Sequence, residues 1–192
     1  VVGDISAADA KKAIQSTFEQ WRSKDGILGA PEKPNPNSTG IFMVDKPGSA
    51  QSQLRIGHLG VSRNHPDYFS IVMCNAILGG LFNSRINMNL REDKGYTYGA
   101  RSYFGFNRGV GSFGVYTGVK SDVTAPAILE VLKEIATIRT VDVGEKELTN
   151  AKNRYSLSLP GYFQTVSGIA SMFSNIYTYD LPMAYYQDLP AN

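Results

Sequence analysis

The stretch Leu78–Phe104 reads L-G-G-L-F-N-S-R-I-N-M-N-L-R-E-D-K-G-Y-T-Y-G-A-R-S-Y-F. Its second half decides the fold class. Tyr96, Tyr98, Ala100, Ser102, Phe104 and Phe106 fall on one face of a two-residue period, the signature of a strand. Asn107-Arg108-Gly109 supplies a short turn, and Phe113, Val115, Thr117 and Val119 repeat the alternation, which predicts a hairpin. The first half predicts a glycine pair, Gly79-Gly80, capping a preceding helix, then a short helix near Ser84 to Arg91.

Upstream, Val1-Val2-Gly3-Asp4 reads as the tail of a strand, and Ser6-Ala7-Ala8-Asp9 resembles a capping box opening a helix with Ala10, Ile14, Phe18 and Trp21 at helical spacing. Gly26, Gly29, Pro31, Pro34, Pro36 and Asn37 then mark a linker. Ile41–Val44 and Gln51–Val61 predict two strands separated by Lys46-Pro47-Gly48-Ser49, with Gly57 and Gly60 marking a bulge or a close backbone approach. Pro66 and Asp67 open a helix that turns Phe69, Val72, Met73, Ala76 and Ile77 inward.

Downstream the chain reads as helical. Asp122 caps a helix with the stripe Ile128, Val131, Leu132, Ile135 and Ile138. A second carries Leu148, Ala151 and Tyr155, and a third follows the break at Pro160-Gly161. Strands early and helices late predict an α+β fold, an antiparallel or mixed sheet with helices on one face. Three segments are expected: residues 1–23 closing a preceding domain, 24–40 linking, and 41–192 forming a second domain. The chain thus reads as a piece of a longer polypeptide.

Composition narrows the function. A net charge of +2, with no run of Lys or Arg, gives no expectation of nucleic-acid binding. No apolar stretch approaches the roughly 18–20 residues of a membrane span, so no transmembrane segment is expected. The single cysteine, Cys74, sits in an apolar helical pattern and reads as core. Only His58 and His65 are present. A zinc-peptidase helix needs two His at i and i+4 with a neighbouring Glu, but Ser62 and Phe69 stand at those spacings. No G-x-S-x-G elbow and no phosphate-binding loop occurs. A chain with these residues is not expected to be a complete enzyme, and no metal site or catalytic residue is expected in it alone.

Arg91 and Tyr98 stand seven positions apart around Gly95. From the residues alone, Arg91 reads as a cation complementing a helix C-terminus and Tyr98 as one aromatic on a sheet face. Gly79 and Gly80 read as turn residues, with a close approach of substrate backbone as the functional alternative.

Leu78-Gly79-Gly80, Ser84-Arg85, Leu90-Arg91-Glu92, Gly95 and Tyr98 together resemble the pattern of the C-terminal half of pitrilysin-type (insulinase-like) zinc peptidases, a group that includes the mitochondrial processing peptidases. The resemblance covers nearly the whole chain. It implies one of two similar α+β halves closing around a chamber, in which the other half carries an H-x-x-E-H zinc motif. This half would bind peptide substrate and direct Arg91 and Tyr98 at it, with Zn2+ held by the partner half, fused or separate. The same family also contains catalytically silent scaffold members, which is the alternative reading. The chemistry suits the pair: peptide hydrolysis builds negative charge on the carbonyl oxygen, and a guanidinium and a phenol both donate hydrogen bonds to it.

Overall fold

The sheet is built from three nine-residue strands: β1 (Gln51–Leu59), β2 (Thr97–Gly105) and β3 (Ser112–Lys120). The computed structural model describes residues 1–22 and 39–189. β3 lies in the centre, antiparallel to both neighbours, in the order β1-β3-β2. The predicted hairpin is therefore present, and β1 joins its far side with Gln51 opposite Lys120 and Leu59 opposite Ser112. Lys46–Ser49, the segment before β1, forms a turn, with Gly48 at φ 79° and Ser49 N–H donating to the Lys46 carbonyl at 3.2 Å.

One face of this sheet is the core. Leu54, Ala100, Phe113, Val115 and Val119 are buried, in register with the alternation of the strands. Against it pack Leu78, Ile86 and Leu90 from the segment preceding β2, and Ala127 and Val131 from α4 (Thr124–Thr140). Leu132, placed in the core stripe by periodicity, is 46% exposed instead. The observed architecture is α+β with helices on one face of an antiparallel sheet, as predicted.

The helix after Pro66 runs as α2 (Tyr68–Asn75) and continues in π-helical turns over Ala76–Gly80. The next, α3 (Arg85–Asn87), also widens into π-helical turns over Met88–Asp93. Gly79-Gly80 is thus the last turn of a helix and not a left-handed cap. A Cβ on Gly79 would come within 2.5 Å of Ser102 N, so glycine lets the helix touch β2. Gly57 serves similarly beside Phe113 of β3. By length and composition alone, the helical run Tyr68–Asp93 is apolar enough to cross a membrane. Within it Leu78, Ile86 and Leu90 are buried in the sheet core, and Ile77 is buried beside them in sequence.

The chain divides into two compact units, Lys33–Tyr155 with the sheet, and Val1–Glu32 together with Ser156–Asn192. The latter contains α1 (Ala7–Phe18), α6 (Val166–Tyr179) and α7 (Tyr185–Asp188). The boundary falls within α5 (Glu145–Ser158). Ser6 caps α1 as expected, accepting from Asp9 N–H at 3.1 Å. Trp21 lies beyond the helix end and packs edge-on against Phe18, with ring centroids 4.8 Å apart.

Two strand expectations fail. Residues 1–4 and 41–44 form no strand. Ile41, Phe42, Met43 and Val44 are 88–96% exposed, because no described strand lies beside them to take their backbone hydrogen bonds. Most of the predicted linker lies outside the described residues.

Candidate functional site

Arg91 and Tyr98 come together at one end of the sheet. Both line an open cleft of about 330 Å³, with Gln51, Glu92, Gly95, Tyr96, Thr97 and Lys120. Both also line an adjoining cleft of about 80 Å³, with Phe82, Asn87 and Arg101 among its walls. Their convergence is built from two local devices.

The first is the turn between helix and strand. Gly95 has φ 62°, a left-handed conformation in which glycine carries no Cβ penalty. Tyr96 N–H then closes back on the Leu90 carbonyl at 2.8 Å. This reversal brings the last helical turn, with Arg91, beside the start of β2. The Arg91 guanidinium sits 4.7 Å from the Phe82 ring centroid, and its Nε is 3.3 Å from Glu92 Oε1. An aromatic face and a carboxylate therefore hold the guanidinium, and Arg91 still borders both clefts.

The second device is a β-bulge. Thr97 pairs with Val119 but Ala100 pairs with Thr117, so β2 carries one extra residue at Tyr98-Gly99. The bulge breaks the alternation that put Tyr98 on the face of Ala100 and Ser102. Those two are buried, whereas Tyr98 is 89% exposed. Side chains fasten the bulge. Thr97 Oγ1 accepts from Gly99 N–H at 3.1 Å and donates to the Gly118 carbonyl at 2.7 Å. Thr117 Oγ1 donates to the Gly99 carbonyl at 3.1 Å.

Asparagines fix the outer edge of β2. Asn87 Oδ1 accepts from Ala100 N–H at 3.0 Å, while its Nδ2 donates to the Phe82 carbonyl at 2.6 Å. Asn75 Oδ1 accepts from Ser102 Oγ at 2.7 Å, and its Nδ2 reaches the Ser102 carbonyl at 3.4 Å. Side-chain amides thus take backbone positions that another strand would occupy. Neither asparagine was marked by the sequence pattern; an asparagine inside an apolar helical run, poor in helix propensity, was the available signal.

Ion pairs hold the helices. Arg85 clasps Glu147 with Nε at 2.8 Å and Nη2 at 2.6 Å. That hydrogen bond keeps the Glu147 carboxyl below its usual range and raises the Arg85 guanidinium further. Asn89 Nδ2 donates to Glu130 at 2.9 Å and Glu134 at 2.7 Å, and the first of these bonds lowers the Glu130 carboxyl.

The other sequence candidates lie elsewhere. Gly79 is buried against Ser102, and Gly80 abuts Asn75. His58 Nδ1 donates to the Leu59 carbonyl at 2.6 Å, and its ring packs on Phe113. His65 stands at the entry to α2, with its Nδ1 accepting from Asp67 N–H at 3.2 Å. Burial pushes the half-buried Cys74 thiol up. Among the described residues no three His, Cys, Asp or Glu side chains are grouped to hold a metal ion. The donor set of the described residues does not fit the zinc of the peptidase pattern that the sequence resembles.

Comparison with known proteins follows the same lines. A curated relative, "Uncharacterized zinc protease YmxG" of Bacillus subtilis (strain 168), is 27% identical over 159 residues, 83% of this chain and 38% of that protein. The chain therefore spans well under half the length of that relative. The crystal structure of a peptidase M16 inactive domain from Pseudomonas fluorescens is also 27% identical, with a TM-score of 0.69 over 74% of this chain and 34% of that one. A protease from Helicobacter pylori shares the fold, with a TM-score of 0.83 at 16% identity over 99% of this chain and 47% of the other. The family pattern described as "Peptidase M16 inactive domain" matches residues 1–155, and the chain belongs to that family.

Proposed function

We propose that this chain is the zinc-free half of a zinc metallopeptidase, and that it binds peptide and directs Arg91 and Tyr98 at the scissile carbonyl. Residues 1–23 would close the preceding domain and 41–192 would form the zinc-free one. The metal and its general base belong, in this reading, to the H-x-x-E-H half. One observation carries the proposal: the Gly95 turn and the bulge at Tyr98-Gly99 bring a guanidinium and a phenol to the same open cleft.

Both groups are hydrogen-bond donors: the guanidinium offers several N–H groups and the phenol one directed O–H. As charge builds on a peptide carbonyl oxygen, each donor gains strength, and a preplaced donor costs no reorganisation. Phe82 and Glu92 restrict the Arg91 side chain beforehand, while the extra residue of the bulge turns the Tyr98 ring out of the core.

The test uses the full-length protein with its zinc half. Arg91→Ala and Tyr98→Phe should each lower kcat for a peptide about 10²–10³-fold, the usual cost of one oxyanion donor, at an unchanged melting temperature. Wild-type turnover in both variants removes the pair from the mechanism.

A further inference from the structure

The face of the sheet opposite the core has its own chemistry. Register places Arg55, Tyr116 and Arg101 in one row across the three strands, and Gln51 and Lys120 in another. The floor between them is glycine. A Cβ on Gly114 would meet the Tyr116 ring at 2.9 Å, and one on Gly118 would meet Gln53 Nε2 at 2.7 Å. Side chains therefore lie flat over the glycines. The Arg55 guanidinium stacks 4.5 Å from the Tyr116 ring centroid, and the Tyr103 and Tyr116 hydroxyls touch.

The charge on this face has one sign. None of the three strands contains an Asp or Glu, although the chain as a whole has 17 acids against 19 Lys and Arg. Arg55, Arg101 and Lys120 are exposed, and no ion pair engages Arg101 or Lys120 among the described residues. Arg91 and Arg101 border the smaller cleft, and Arg91 and Lys120 the larger, so the cationic face runs continuously into the candidate site. Glu92, the acid at that rim, is paired to Arg91.

We infer that the open face of the sheet binds the flanking part of the peptide substrate and selects acidic side chains there. This deepens the peptide-binding reading above and rests on it. Charge complementarity sets the sign. Spacing sets the reach: Tyr116, at the centre of the arginine row, and Lys120 lie four residues apart along β3, roughly 13 Å. An extended peptide repeats the same face over that distance every four residues, so one chain with Glu at i and i+4 reaches both ends.

The experiment reads binding and needs no turnover. Fluorescence anisotropy follows two labelled decapeptides on the full-length protein, one with Glu at i and i+4 and one with Gln in their place. The Glu peptide should bind about tenfold more tightly at low salt, a few-fold from each exposed pair. The preference should shrink as the Debye length falls from about 30 Å at 0.01 M to about 8 Å at 0.15 M. It should vanish in R55Q/R101Q/K120Q, and R101E should shift preference toward a Lys peptide, a gain that misfolding cannot produce. Equal affinity for the two peptides overturns the inference. So does an undiminished preference in the triple variant, or a face covered by a second copy in sedimentation. Loss of turnover in Arg91→Ala with equal binding of both peptides would sink the acidic selection alone; acidic preference with normal turnover in Arg91→Ala and Tyr98→Phe would sink the transition-state role alone.

Discussion

The two faces of one sheet differ residue by residue. Val115 and its neighbour Tyr116 sit on the same strand, one buried at 1% exposure against Leu90 and Val131, the other outside between two arginines. The strand period sends one to the core and the next to the open face. A local break in that period, the bulge at Tyr98-Gly99, turns the Tyr98 side chain out of the core.

The comparison breaks most severely if the core face is charged. Val115→Asp would bury an unpaired carboxylate and should cost more than about 4 kcal/mol in urea unfolding, whereas Arg101→Gln on the open face should stay within about 0.5 kcal/mol. Comparable costs for the two would mean that the faces are not distinct. A smaller effect sharpens the boundary between them. Asn87→Ala leaves the Ala100 N–H without its partner and should cost about 1–3 kcal/mol. Because Asn87 also lines the cleft shared by Arg91 and Tyr98, peptide turnover should fall together with stability. A stability loss with unaltered turnover would separate the edge of β2 from the site.

The smallest effect concerns pH. Glu147 has a depressed carboxyl in the folded state, so its pair with Arg85 stabilises above the ordinary glutamate value of about 4.3 and is lost as pH falls through the lower folded value. Glu147→Gln should therefore cost at most about 1 kcal/mol near neutrality, since the carboxylate is partly exposed, and the gap to wild type should close below about pH 4. A gap constant down to pH 3 would assign the effect to something other than the ion pair.

How much was legible follows from the range of the forces. The hairpin, the core face of β3 and the capped α1 were readable because each depends on neighbours in sequence. So was the approximate placing of Arg91 and Tyr98, through the motif around them. The direction of Tyr98 was not, since the bulge is fastened by Thr117 and its neighbourhood by Asn87, residues outside the local alternation. The Arg85–Glu147 clasp spans 62 positions, with no spacing rule to mark it. Ile41–Val44 failed for the complementary reason: its apolar run satisfies the local pattern for a strand, but a strand exists only beside a partner.

The amides of Asn75 and Asn87 along β2 give the sheet a direction of growth. With that margin closed by side chains, β1 is, among the described residues, the margin open to a fourth strand. The sheet is in effect a template with one working side, and its two asparagines act as a stop codon for strand addition on the other.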